Sequence, residues 1–326
     1  RGERFQQQDL NRLWKGEKMR DLESGELEAE HEDRQQQIEI YTFLQEVMQV
    51  ESGPYYFMDL HTTSSETIPF LTVNDSLLNR KFTEQYPVPI ILGIEEYLDG
   101  PLLSYVNKLG YVAFGYEGGQ HDDLAAIENH EAFIYLTLVF AGVLSKDQVD
   151  FNHYFSLLAK NSIDTRNFYE IFYRHEIMEK DRFKMHPGFV NFQSITKGEE
   201  LALSNNVPVI NSKKSRIFMP LYQSQGNDGY FLIRKISPLM LRLSSIFRKW
   251  RLDRVLAILP GVKWASKEKN ALYVNRKIAR LYTKQLFHLL GYRSRELDQN
   301  HYYMRNRETS SKTEEYVNEH WMLKKK

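Results

Sequence analysis

At 326 residues, with 42% apolar and 13% aromatic side chains, the chain is long enough to bury sizeable cores in more than one domain and too apolar to be a disordered one. It contains no cysteine, which excludes disulfides, thiolate metal sites and cysteine nucleophiles, leaves His and carboxylates as metal ligands, and agrees with a reducing, cytoplasmic compartment. The formal net charge is zero, yet residues 242–326 carry 20 Lys and Arg against 8 Asp and Glu, a surplus of 12 that the first 241 residues offset.

Residues 1–12 are polar and do not read as a signal peptide; with no initiator methionine, the chain is expected to begin inside a longer one. From 16 to 50 the composition is charged, and its second half, RQQQIEIYTFLQEVMQV, spaces apolar residues as a helix does. Ser52, Gly53 and Pro54 break it, and strands are predicted at 55–60, 68–73 and 88–94. A helix follows over 95–110, closing on Gly110, then a strand over 111–119 and a helix over 121–144 with Asp122 and Asp123 near its start, where the dipole favours anions. The apolar run at 132–144 is too short to span a bilayer, so no membrane span is expected. Another helix is predicted over 145–160. Strands alternating with helices predict an α/β domain with a mostly parallel or mixed sheet over 1–160.

Short β runs at 168–177, 189–195, 207–210, 216–223 and 229–236 predict a small antiparallel β domain over 161–236. The pattern turns helical again at 238–259 and 270–292, and the last 30 residues read as polar and frayed. Region 237–326 is therefore expected to be a basic helical extension, solvated rather than nucleic-acid-binding, because no groove-reading motif or stacking repeat accompanies the charge.

Three short stretches carry candidate chemistry. Asp9, Asn11 and Arg12 put an acid, an amide and a guanidinium within four residues; His61 and Glu117 each stand at a strand end. Ligands of open α/β sheets bind beyond the carboxyl ends of strands, so His61 and Glu117 are expected to share a cleft. Arg12 and Asn11 suit a carboxylate, gripped by the guanidinium fork and a neutral donor. Gly118 and Gly119 allow close backbone approach beside Glu117. His61 alone reads as a hydrogen-bonded strand-end residue and Arg12 as an ion-pair partner of Asp9. His121, His130, His175 and His186 read as structural. Ser64 and Ser65 are set aside as nucleophiles because G-x-S-x-G is absent.

In order and spacing, RFQQQDLNRLW at 4–14, DLHTTSS at 59–65 and YEGGQ at 116–120 resemble the succinylglutamate desuccinylase and aspartoacylase family, relatives of the zinc carboxypeptidases. The resemblance runs from residue 3 to about 145 and more loosely to about 236. It implies a zinc-carboxypeptidase-like mixed sheet flanked by helices. It also implies a zinc-dependent amidohydrolase that removes an acyl group from a small, carboxylate-bearing N-acyl substrate. By position it makes His61 the third zinc ligand, Glu117 the general base and acid, and Asn11 and Arg12 the grip on the carboxylate. Arg4 becomes a positive group near the polarised carbonyl or acyl end, Asp9 the acid that orients a zinc-bound imidazole, and Tyr230 or Tyr222 a hydroxyl from a β domain folded over the cleft. The family's other two zinc ligands come from an upstream H-x-x-E motif that these 326 residues lack. The implied chain is N-terminally incomplete, with a carboxypeptidase-like peptidase acting on a short peptide and a catalytically silent carboxylate-binding relative as alternatives. No oligomeric state is implied.

Overall fold

The helix signal at 34–50 becomes all but the first two residues of a 19-residue helix in the computed structural model, which describes residues 7–25, 31–98, 100–160, 162, 167–223, 226–275, 277–279, 284–298 and 300–323. Helices α1 (Gly16–Ser24) and α2 (Glu32–Val50) precede β1 (Tyr56–Thr63) and β2 (Phe70–Val73). Next come α3 (Leu77–Thr83), whose N-cap Ser76 accepts from Asn79 N at 3.1 Å, and β3 (Ile90–Leu92). The helix expected over 95–110 is split. A 3-10 turn at Ile94–Glu96 is followed by α4 (Leu102–Leu109), because Pro101 keeps the residue before it out of the helix. Gly110 closes α4 at φ 94°, and a Cβ there would also lie 1.8 Å from Ser310 O, so glycine is demanded twice.

β4 (Val112–Gln120) and α5 (Ala125–Phe140) follow as expected, α5 about a turn shorter at each end, whereas the helix expected from 145 becomes a 3-10 turn at Lys146–Gln148 and then α6 (Phe151–Lys160). Then come β5 (Phe168–Glu176), β6 (Phe183–Met185), β7 (Ser194–Ile195), β8 (Glu200–Ser204), β9 (Val207–Ile210), β10 (Ser215–Phe218) and β11 (Asp228–Lys235).

One mixed sheet of eight strands, in the order β1-β4-β2-β3-β5-β11-β10-β7, runs through the molecule; β1/β4, β2/β3 and β3/β5 pair parallel and the rest antiparallel. Four strands from the predicted β region thus join the main sheet, while β6, β8 and β9 make a separate three-stranded one. Alternation in β4 decides what each face of the main sheet does. Val112, Phe114 and Tyr116 point into an aromatic core under α3, α5 and α6, and Ala113 packs with Trp14, Met19 and Tyr105 on the opposite side. That opposite side continues as Gly115 and Glu117, and the small residues leave room for a cavity.

The helical reading of the C-terminal third is corrected in part. α7 (Pro238–Lys249) forms, with Ser237 capping and Pro238 at the first turn. It is followed by β12 (Val262–Trp264), β13 (Ala271–Asn275), α8 (Lys284–Leu289), β14 (Tyr292–Asp298), β15 (His301–Asn306) and α9 (His320–Leu323). The four strands form an antiparallel sheet, β12-β13-β15-β14, over a cluster that includes Leu272, Val274, Tyr292 and Met304. In β13 the strand period won because cross-strand partners bury Leu272 and Val274 together. Nor is the chain's end frayed as expected: Tyr316 and Trp321, 0% and 2% exposed, belong to the main aromatic core. Among the described residues no helix is long and apolar enough to cross a membrane.

Candidate functional site

β1 and β4 run parallel in a register that sets His61 beside Glu117 and Asp59 beside Gly115. Because side chains alternate along a strand, Asp59 and His61 share the face of Gly115 and Glu117. All four line one cleft of about 1420 Å³, with Asn11 and Arg12. His61 is 42% exposed and its Nε2 lies 2.8 Å from Asp59 Oδ1, so the acid that holds this ring is two residues back on its own strand. Glu117 is buried at 8% exposure.

The Gly118 backbone makes this packing possible, since a Cβ there would sit 2.3 Å from His130 Cε1. His130 reaches in from α5, its Nδ1 2.6 Å from Ala126 O and its ring edge-on to Tyr116. His121 also belongs to the cleft wall, with Nδ1 2.8 Å from Thr62 Oγ1 and Nε2 3.4 Å from Gln223 Oε1.

The opposite wall begins in the 3-10 turn Leu10–Arg12. Asp9 caps it, accepting from Asn11 N at 3.0 Å, and the turn is anchored by buried Trp14, whose N donates to Gly100 O at 3.0 Å. Asn11 Oδ1 accepts from Leu102 N at 3.1 Å, which turns its Nδ2 donor elsewhere. Arg12 Nη1 donates to Asn11 O at 2.9 Å, and Arg12 makes no ion pair among the described residues. The expected Arg12–Asp9 pairing is therefore replaced by a capping acid and an available guanidinium. Arg4 lies outside the described residues.

Sequence reasoning missed the third wall. The register of β5 against β11 slips by one residue at Phe172, so Arg174 falls on the face of Tyr169 and Ile171 although alternation would send it to the other. A second slip, at Gly229, turns Asp228 to the same side. Arg174 is not a free cation there: its Nε bonds Asp228 and its Nη1 lies 3.4 Å from Glu176 Oε1. Glu95, 4% exposed, lines the cleft as well; its Oε1 accepts from Arg307 Nε at 3.0 Å, while Oε2 has no hydrogen-bond partner among the described residues.

Tyr230 is not among the residues of this wall. It is 2% exposed, stacked on His175 at 5.1 Å in the cluster of Met185 and Leu232, and burial pushes its phenol well up. Tyr222 also lies off the cleft, its hydroxyl donating to His186 O at 2.8 Å and accepting from Phe189 N at 2.9 Å.

Among the described residues, no three His, Asp or Glu side chains are placed to bind one metal ion. His61 with Asp59 offers one imidazole and one carboxylate. A three-ligand zinc site does not fit this set.

No protein-family model and no curated protein matches the chain. Its backbone is similar to a number of solved structures, three of which serve for comparison. With succinylglutamate desuccinylase from Vibrio parahaemolyticus it shares 15% identity over 72% of this chain and 67% of that one, at a TM-score of 0.46. With succinylglutamate desuccinylase/aspartoacylase from Rhodobacter sphaeroides the values are 13%, 70%, 68% and 0.48, and with murine aminoacylase 3 they are 14%, 71%, 78% and 0.43. The chain spans about two thirds of the length of the first two, which bear the name of the family that the three motifs resemble.

Proposed function

We propose that the protein is a hydrolase that cleaves the amide between an acyl group and an amino acid. The observation that carries this reading is the placement of Glu117 beside His61 in one cleft with Asn11 and with Arg12, whose guanidinium makes no ion pair among the described residues. Arg12 and the Asn11 amide hold the amino acid's carboxylate and so fix where the scissile bond lies. Glu117 takes a proton from the attacking water and returns it to the departing amine. Asp59 holds the His61 ring in one orientation beside that acid. Zinc is expected of such an enzyme, with His61 as a ligand, but the described residues supply no three-ligand group and the steps above use only this chain's side chains.

A second reading is favoured by size. At about 1420 Å³ the cleft exceeds the roughly 300–1,000 Å³ usual for small-ligand pockets. A short peptide with a free C-terminal carboxylate would occupy it more fully than an N-acyl amino acid. Hydrolysis assays on N-acyl amino acids against di- and tripeptides separate the two. On the better substrate, Glu117→Gln is expected to lower kcat by about 10²–10⁴-fold with circular dichroism unchanged. Arg12→Ala is expected to act on KM. Unchanged kcat in folded Glu117→Gln would remove Glu117 from the mechanism, and no turnover of either class would sink the hydrolase reading.

A further inference from the structure

Around α7 and the turn that follows it, apolar side chains face solvent in the company of cations. Leu239, Leu243, Ile246 and Trp250 fall on one stripe at helical spacing, with Arg242 and Lys249 among them, opposite the buried Ser244 and Arg248. Trp250 ends the stripe at 73% exposure. The 3-10 helix Leu252–Ile258 then sorts its residues into ridges, because side chains three apart eclipse one another. Asp253 and Leu256 form the inward ridge, Leu256 in the core of the C-terminal sheet and Asp253 accepting from Tyr292 OH at 3.0 Å. Arg251 and Arg254 form a basic ridge. Val255 and Ile258 form an apolar one, with Ile258 81% exposed.

The charge that this stretch shows to solvent has one sign. From 239 to 263 the exposed charged residues are Arg242, Lys249, Arg251, Arg254 and Lys263, and the one acid, Asp253, is buried. Among the described residues only Arg251 of these cations has an ion pair, its Nε 3.2 Å from Asp253 Oδ1. Aliphatic tips set among cations suit a surface that is anionic at its face and apolar beneath it. Nucleic acid would leave Val255 and Ile258 nothing to stack on, and a protein interface keeps charge out of its apolar centre.

We propose that this corner docks the protein on an anionic lipid bilayer. Trp250, Val255 and Ile258 enter the headgroup boundary, and Lys249, Arg251 and Arg254 lie among the lipid phosphates. The proposal is independent of the hydrolase reading, since no residue of this corner lines the cleft.

Vesicle flotation of the whole chain is the test, with phosphatidylcholine alone against equal parts of phosphatidylcholine and phosphatidylserine. Binding to the mixed vesicles is expected to be stronger by roughly tenfold or more and to weaken as sodium chloride is raised. It should also move the fluorescence of Trp250 to the blue, a shift to which the already buried Trp14 and Trp321 add little. Arg254→Glu and Ile258→Ser are each expected to weaken binding about tenfold with circular dichroism unchanged. Lys249→Glu stands in for Arg254→Glu if that variant does not fold. Equal binding to both compositions, or wild-type binding in both variants, would overturn the proposal. So would a concentration-dependent dimer, seen in sedimentation without lipid and abolished by the same variants, because the corner would then be an interface between copies of the chain.

Discussion

Asp59 and His61 touch because a strand returns to the same face every second residue, and that much is written in the spelling D-L-H at the end of an apolar run. Arg174 shows the opposite case. No pattern in FYEIFYRHE announces the extra residue at Phe172 that moves Arg174 to the cleft side, since the slip is set by pairing with β11. The difference matters chemically, because Arg174 arrives with two carboxylates, whereas Arg12 makes no ion pair among the described residues. Gly118 is the residue at which a one-carbon change tests the site most directly. In Gly118→Ala the new methyl meets the His130 ring, which cannot retreat without losing its bond to Ala126 O and its edge contact with Tyr116. A loss of about 1–3 kcal/mol in urea unfolding is expected, with kcat lowered through the displaced Glu117 backbone. A variant of wild-type stability and rate would show that the ring moves freely.

At the scale of elements, the α/β half was legible because its strands are apolar runs bounded by Gly and Pro and its helices keep their period. β4 even announces its two faces, with Val112, Phe114 and Tyr116 large and Ala113 and Gly115 small. The C-terminal sheet was not legible. Its strands lack a clear apolar alternation, and the sequence of β13 serves a helical period as well as an alternating one. The last segment was misread for a different reason: Tyr316 and Trp321 are two aromatic residues in a polar stretch, too sparse to make a pattern. Yet Tyr316 OH accepts from Val112 N at 2.9 Å, and Trp321 packs edge-on to Phe82 at 5.1 Å. Trp321→Ala is therefore expected to destabilise the whole fold by about 3–5 kcal/mol; a loss below 1 kcal/mol in the same unfolding measurement would mean that α9 merely rests on the surface.

The whole molecule is joined by a buried ionic seam. Asp75, just after β2, receives Arg80 from α3 and Arg248 from α7, with Arg248 Nη2 at 2.8 Å and Arg307 Nη1 at 3.7 Å. Burial raises this carboxyl, but Arg248, Arg80 and Arg307 outweigh it and hold the group well below the usual carboxylate range. A folded value beneath the unfolded one, near 3.9, means that the stabilisation is complete above about pH 4 and is lost as the pH falls further. Urea midpoints should therefore be level from pH 7 to 5 and drop below pH 4. Asp75→Asn should cost about 3–5 kcal/mol at neutral pH by stranding guanidiniums, and should flatten that acid drop. An unchanged acid drop in the variant would assign it to other carboxylates. Arg80 lies five residues from Asp75, but Arg248 is 173 residues away and Arg307 farther still, which is why the seam could not be read from the sequence.

Glu95 belongs to this seam through Arg307 and is also one of the residues that line the cleft. Chain beyond 237 is therefore not an appendage that a shortened version could shed. Without Arg248 and Arg307, the carboxylates of Asp75, Glu95 and Glu96 would remain in the interior with much of their counter-charge gone, that of Glu95 in the wall of the cleft. Such a truncation would be expected to fail in folding before it could be assayed, and its silence would report on charge burial and not on where the chemistry resides.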